Sequence, residues 1–197
     1  MALSEPMPRK ALHNRMIKMD AYYRDDGLWD IEGRVTDIKA YSYTSEVRGE
    51  VRPGDHVHDM FIRLTLDDRH TVVDVEVSMD ATPFDMCVEV EPNFKILIGL
   101  KVGPGWMKNV RERVGGKHGC VHVVELFAPM ATVAFQSVPS YKRIRDAGKP
   151  RPERSVTKQK PFSLGGCYSW AYDSPMVKKI YPEWYREPND TALDSDL

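Results

Sequence analysis

Alternating apolar and polar residues over the first 80 positions predict four β-strands. The segments are HNRMIKMDAYYR, LWDIEGRVTDIKAYSY, VHDMFIRLTL and TVVDVEVSM. The turn signal DDG joins the first two, since Asp and Gly tolerate the positive φ that tight turns need. DDRH joins the last two, and the polar segment TSEVRGEVRPGDH is expected to be a loop. The pattern therefore predicts a four-stranded antiparallel meander.

One face of this predicted sheet is apolar. It is expected to carry Ile17, Met19, Ala21 and Tyr23; then Trp29, Ile31 and Val35; then Met60, Ile62, Leu64 and Leu66; and finally Val73, Val75, Val77 and Met79. The other face carries charged residues such as Asp30, Glu32 and Arg34, for which we expect cross-strand ion pairs in solvent. A sheet that is apolar on one side must bury that side, so helices should cover it.

Three later segments are candidates for those helices: EPNFKILIGL, WMKNVRERVGG and CVHVVELFAPMATVAFQSV. The second has glycine at its C-terminal end, as helices commonly do. Strands first and helices afterwards indicate an α+β domain, which we place at residues 8–139.

The composition changes after this domain. Residues 140–161 carry many basic residues, and the stretch YKRIRDAGKPRPERSVTKQK within them has two prolines, so we predict an extended, solvated connector there. Residues 162–197 form an aromatic-rich C-terminal extension, and we expect its rings to dock on a protein surface, either on its own domain or on a neighbouring subunit.

Charge and composition exclude several classes of function. The net charge of −1 gives no basic surface for nucleic acid. No apolar run approaches the roughly 20 residues that span a bilayer, and the N-terminus lacks the apolar stretch of a secretory signal. The three cysteines are odd in number and far apart, so we expect reduced thiols and a cytoplasmic location.

Polar residues interrupt the apolar face at one end of the sheet. On the second strand the face continues from Val35 into Asp37, Lys39 and Tyr41. On the third strand His58 precedes Met60, and on the first strand His13 and Arg15 precede Ile17. Antiparallel pairing brings the end of the second strand beside the starts of the first and third, so these groups should gather in a partly apolar cleft. Strand ends that become polar as they reach solvent, and a buried structural His58, are the plainer interpretations.

The stretch GGKHGCVHVVEL, residues 115–126, contains a second group of candidates. Cys120 and His122 are two residues apart and diverge by about 200° on a helix, so they can share a metal only if the helix starts between them. Cys87 could then join them around zinc, although the spacing does not require it. His122 and Glu125 share one helix face and fit a second wall of the cleft. An anion site at a helix N-terminus and an ordinary buried helix start are the alternatives.

Several stretches together resemble the bacterial domain-of-unknown-function family 2889 (DUF2889). They are YYRDDGLWDIEGRVTD, VHDMFIRLTLDD and VGPGWMKNVRERVGGKHGCVHVVELFAPMATVAFQ, and the resemblance covers roughly residues 8–139. It implies a role in bacterial catabolism of aromatic compounds, of which a formaldehyde-releasing lyase for lignin-derived phenolic dimers is one example. No catalytic residue is implied by it. The architecture is also similar to iron–sulfur scaffold proteins, but the cysteine expected in the first hairpin is missing from RDDGLWD.

These observations lead to two hypotheses. The first is a cofactor-independent lyase acting on a small aromatic molecule. His58 is its base and Tyr41 or Lys39 its acid, because imidazole is easily tuned for proton transfer near neutral pH. The substrate contacts are expected from Arg15, Asp37, Met79, His122, Glu125 and Trp170. The second is a non-catalytic metal-binding or scaffold protein with Cys87, Cys120 and His122 as ligands. A homodimer is compatible with either.

Overall fold

The computed structural model describes residues 3–148, 160–161 and 163–188. The chain forms two compact units, Met1–Ala147 and Gly148–Leu197.

The first unit contains six strands. They are β1 (His13–Tyr23), β2 (Trp29–Lys39), β3 (Tyr43–Ser45), β4 (Gly49–Val51), β5 (His56–Leu66) and β6 (Val72–Ala81). Four of them form one antiparallel sheet in the order β1-β2-β5-β6, which confirms the predicted meander. The second predicted strand ends earlier than expected, at Lys39. The short strands β3 and β4 pair with each other and, apart from Tyr43, lie in the segment predicted to be a loop.

The prediction for the apolar face of β6 was wrong at its first residue. Val72 is buried, whereas Val73 is 39% exposed. The register between β5 and β6 shifts between Thr65 and Leu66, so that Leu66 pairs with Val72 and Thr65 pairs with Asp74. This irregularity inserts one extra residue into β6 and reverses the side-chain alternation at that point.

Helical segments cover the apolar face, as the pattern predicted. A 3₁₀-helical segment spans Asp85–Leu97, α1 spans Trp106–Val114, a short 3₁₀ turn spans Gly116–His118, and α2 spans Val121–Arg145. The core between sheet and helices is apolar; its largest fully buried side chains include Trp29, Phe94, Phe127, Ile31, Met60, Ile62, Leu126 and Met130. Buried Trp106 donates its indole N–H to the carbonyl of Phe127, 3.1 Å away, so α1 is also fixed to α2 by a polar bond.

The helix α2 runs along the sheet and is closest to β2. At Gly33 of β2 a Cβ atom would lie 3.1 Å from the sulfur atoms of Met130 and Met19, so the absence of a side chain lets these methionines approach the strand. The helix continues past Ser140, where the sequence placed the start of an extended connector. Residues 149–159 of that predicted connector lie outside the described residues.

By length and composition alone, α2 is also apolar enough to span a membrane, the one such helix in the described part of the chain. One side of it, including Val123, Leu126 and Phe127, is buried in the core. The core helix of a soluble protein has the same properties.

The outer face of the sheet carries the expected cross-strand ion pairs. Arg63 of β5 lies 2.7 Å from Glu32 on β2 and 2.8 Å from Glu76 on β6. Arg34 forms two bonds of 2.7 Å with Asp59, which points away from the apolar face as the alternation requires.

The second unit contains short helical segments: 3₁₀ turns at Tyr168–Trp170 and Pro182–Trp184, and α3 at Pro175–Ile180. Ser174 caps α3 by accepting a hydrogen bond from the Val177 amide. Within this unit the ring of Trp170 lies 5.7 Å from that of Tyr181, and the Arg186 guanidinium lies over Tyr172.

Candidate functional site

Strand pairing places three polar residues side by side on the inner face of the sheet. Arg15 of β1 is opposite Asp37 of β2, and Asp37 is opposite His58 of β5. His13 lies one inner-face position before Arg15 on β1, and the start of α2 passes over the same end of the sheet. We call His13, Arg15, Asp37, His58, His122 and Glu125 the Asp37 cluster.

Asp37 is the centre of this cluster. Its side chain is 1% exposed. Arg15 donates to both carboxylate oxygens, from Nε at 2.9 Å and from Nη2 at 2.8 Å. His13 bonds one oxygen through Nε2 at 2.9 Å, and His58 bonds the other through Nδ1 at 2.8 Å. The hydrogen bonds from Arg15 outweigh the effect of burial and hold the pKa of Asp37 well below its usual range.

His58 is oriented by this carboxylate. Because Nδ1 is bonded to Asp37, the ring donates from Nδ1 and leaves Nε2 with its lone pair in the neutral tautomer. Burial lowers the pKa of His58 below 6.5, although Asp37 acts in the opposite direction. The imidazole is therefore mostly neutral near pH 7, the state in which it can accept a proton.

His122 lies against His58, with ring centroids 3.8 Å apart. Burial, followed by the repulsion from His58, lowers its pKa as well. Two imidazoles this close resist being protonated together. Near pH 7 both rings are therefore mainly neutral, and protonation of one ring opposes protonation of the other.

The start of α2 explains how His122 reaches this position. Cys120 is the N-cap residue, in an extended conformation, and the helix begins at Val121. The helix thus starts between Cys120 and His122. Their spacing in the sequence lets the two side chains approach each other only with such a helix start. The Cys120 sulfur lies 3.7 Å from His122 Nδ1 and 3.6 Å from the sulfur of Met60.

Glu125 extends the cluster toward solvent. It is one helical turn after His122, and it accepts a hydrogen bond of 2.7 Å from Nη1 of Arg15. Arg15 therefore bridges the sheet and α2, with Asp37 on one side of its guanidinium and Glu125 on the other.

Four other predicted site residues are placed differently. Lys39 and Tyr41 make no side-chain hydrogen bond to the cluster in the described part of the chain, and the Tyr41 ring lies 6.3 Å from that of Tyr43. Met79 is buried in the core opposite Met60, and its amide donates to Glu91. Trp170 belongs to the second compact unit.

The residues that the structure brings together as possible metal ligands differ from the predicted ligands Cys87, Cys120 and His122. Donor atoms of Asp37, His58 and His122 lie within 4.8 Å of one another. This group does not include Cys87 or Cys120, although Cys120 touches His122. Both oxygens of Asp37 already accept two hydrogen bonds each, so a metal here would take its ligands mainly from the two histidines.

The structure also contains a groove of about 560 Å³ beside β6. Its lining comprises Phe61, Arg63, Val75, Glu76, Val77, Ser78, Glu91, Pro92 and Lys95. The charged residues there bond to partners of their own: Arg63 to Glu76, Lys95 to Asp74, and Glu91 to the Met79 amide. The lining of this groove includes no histidine, whereas the Asp37 cluster contains three.

Every member of the Asp37 cluster was a candidate from the strand pattern or from the segment GGKHGCVHVVEL, but Asp37 was expected only as a substrate contact. The signal for its burial is its position directly after the apolar residues Ile31 and Val35 on the same face of the strand. Comparison with family models matches residues 13–136 to the family described as Protein of unknown function (DUF2889). Comparisons with curated proteins and with solved structures gave no significant match.

Proposed function

The chain belongs to the DUF2889 family, and we propose that it is a cofactor-independent lyase acting on an apolar phenolic, lignin-derived substrate, with release of formaldehyde. One observation carries the proposal: buried Asp37 bonds Nδ1 of His58 at 2.8 Å and leaves Nε2 for proton transfer. A carboxylate that orients a neutral imidazole is the usual construction of a general base. The substrate class comes from the family resemblance.

The proposed reaction needs no redox partner. His58 removes the proton of a phenol, and the electron pair moves through the ring to expel a para-linked benzylic oxygen, which takes up a proton. The product is a quinone methide. Deprotonation of the neighbouring hydroxymethyl group then breaks its C–C bond, releases formaldehyde and returns the electron pair to the ring. The organic product is a phenolic alkene, so atoms and electrons balance.

His122 is the best-placed partner for the second proton. Its ring contacts His58, and because burial lowers its pKa, the ring releases a proton that it has taken up more readily than an exposed imidazole does. Arg15 is positioned to stabilise developing negative charge at the solvent side of the cluster, because its side chain is 32% exposed. These two residues take the acid and oxyanion roles that the sequence offered to Tyr41 and Lys39.

The test uses a phenolic diaryl compound that carries a benzylic ether and a hydroxymethyl group. Its matched control has the para-hydroxyl methylated, so that it has no proton for the first step. We expect formaldehyde and the alkene in equal amounts from the free phenol and neither from the methyl ether. Equal turnover of both compounds would contradict the proposed first step.

The variant His58→Gln should lose activity by about 100-fold or more, the range of general base catalysis. His56→Gln is the matched control. His56 is two residues away and bonds Asp59 at 2.9 Å, so it also forms a histidine–carboxylate pair but on the other face of β5. If both variants retain activity while folded, His58 is not the base.

Metal binding remains the second candidate, because Asp37, His58 and His122 place donor atoms within 4.8 Å of one another. Neutral imidazoles are good zinc ligands. Elemental analysis of the purified protein and of His122→Gln distinguishes the candidates: stoichiometric zinc or iron that is lost in the variant favours metal binding. The proposal includes a cytoplasmic location, where the three free thiols would stay reduced.

A further inference from the structure

The two edges of the main sheet differ. At the β6 edge, Val72 exchanges backbone hydrogen bonds with Gly99 and Leu100, and the Met79 amide donates to Glu91. The segment Asp85–Leu97 also packs against this strand. At the other edge, β1 pairs in the sheet with β2 alone.

The free hydrogen-bonding groups of β1 belong to its odd-numbered residues. The Arg24 amide donates to the Leu28 carbonyl, and the Ala40 amide donates to the Leu12 carbonyl. Even-numbered residues on β1 therefore point their backbone groups toward β2, and the pairing has no register shift along the strand. The odd-numbered residues from 13 to 23 point theirs outward, because backbone direction alternates along an antiparallel strand.

Apolar side chains flank this open edge. Met16 is 58% exposed and Tyr22 is 49% exposed on the outer face of the sheet. Ile17 and Tyr23, on the inner face, are also exposed. A long edge with exposed apolar residues is a surface on which another strand can pair.

We infer that β1 is the surface of a homodimer, in which it pairs antiparallel with β1 of a second copy about a two-fold axis at Met19. Within one chain Lys18 and Asp20 form an ion pair of 2.8 Å. In this register Lys18 is also opposite Asp20 of the second copy, and the reverse pair forms on the other side of the axis. Met16 is opposite the second copy's Tyr22, and Ile17 is opposite its Ala21. The charges and the apolar residues are thus both self-complementary, as a two-fold interface requires.

Charge repulsion disfavours the two neighbouring registers. An axis at Lys18 would place the two Lys18 side chains against each other, and an axis at Asp20 would do the same for the two aspartates. Like charges directly opposite each other destabilise a strand pair. In the favoured register the second copy's Tyr23 lies opposite Arg15, so the dimer also shields one side of the Asp37 cluster.

Lys18 and Asp20 provide a charge-swap test. The wild-type protein should elute and scatter light as a dimer, at twice the 22.6 kDa mass of the chain, and dissociate on dilution. Lys18→Asp or Asp20→Lys alone should raise the dissociation constant by about tenfold or more, and the double variant should restore it. Lys108→Asp, at an exposed lysine on α1, is the matched charge control and should leave the dimer intact.

A second variant tests the backbone pairing. Ile17→Pro removes an amide that points away from β2, so the sheet should stay folded while the dimer weakens. Amide exchange should show protection of the odd-numbered β1 amides at high protein concentration and loss of it on dilution. A monomer at all concentrations would overturn the inference. So would a dimer that survives the single charge reversals and Ile17→Pro, since it would use a different surface.

Discussion

Replacement of Asp37 by Asn is the sharpest test of the Asp37 cluster. The carboxylate accepts four hydrogen bonds and is 1% exposed. Asn keeps one acceptor oxygen, but its amide group is a donor and faces groups that also donate. About two of the four bonds are therefore lost, and Arg15 loses the full charge of its partner.

The expected cost follows from these contacts. Hydrogen bonds to charged groups contribute about 1.5–3 kcal/mol each, and loss of one partner from a buried pair costs about 3–5 kcal/mol. Arg15 is 32% exposed and keeps Glu125, which reduces the penalty by solvent screening. We expect the free energy of unfolding to fall by about 2–4 kcal/mol, and the melting temperature by roughly 5–15 °C for a chain of this size.

Asp59→Asn is the matched control. Asp59 is also buried, accepts two bonds from Arg34 and one from His56, and lies on the opposite face of the sheet. Both variants should lose stability in urea titrations followed by tryptophan fluorescence. Only Asp37→Asn should lose activity, by about 100-fold or more, because only it misorients His58. Equal loss of activity in both variants would refute the role of Asp37, and an unchanged stability of Asp37→Asn would refute its burial as an ion pair.

Three further predictions concern the stability and chemistry of the first unit. Burial lowers the pKa of His58, His70 and His122, so below pH 6.5 the unfolded chain takes up protons that the folded chain does not. The free energy of unfolding should therefore have its full value above pH 6.5 and fall as the pH is lowered toward 5.5. A chemical melt that shows no change over this range would contradict the burial of these rings. Cys120→Ala should retain formaldehyde release under the lyase proposal, and a 100-fold loss in an enzyme assay would assign the thiol a catalytic role. Leu126→Ala empties a fully buried position and should cost about 2–5 kcal/mol in urea titration; a cost below about 1 kcal/mol would show that α2 does not pack on the sheet.

Two local rules account for what could be predicted before the fold was known. Side chains on a strand alternate between faces with a period of two, and consecutive strands joined by tight turns run antiparallel. From these rules alone, Asp37 falls on the same face as Val35, and it lies near Arg15 and His58. The α+β class follows in the same way, because the apolar face of the sheet and the apolar sides of the later helices are both buried when they pack together.

The remaining features depend on contacts between residues that are far apart in the chain. The register shift that buries Val72 in place of Val73 arises from the pairing of β5 with β6, and no residue within β6 indicates it. The start of α2 at Val121, which places His122 over His58, is set by the packing of the helix on the sheet. The central position of Asp37 is also a tertiary result, since its partners come from two other strands, β1 and β5. Sequence alternation therefore determines which side chains share a face, whereas the packing of helices on that face determines which of them meet.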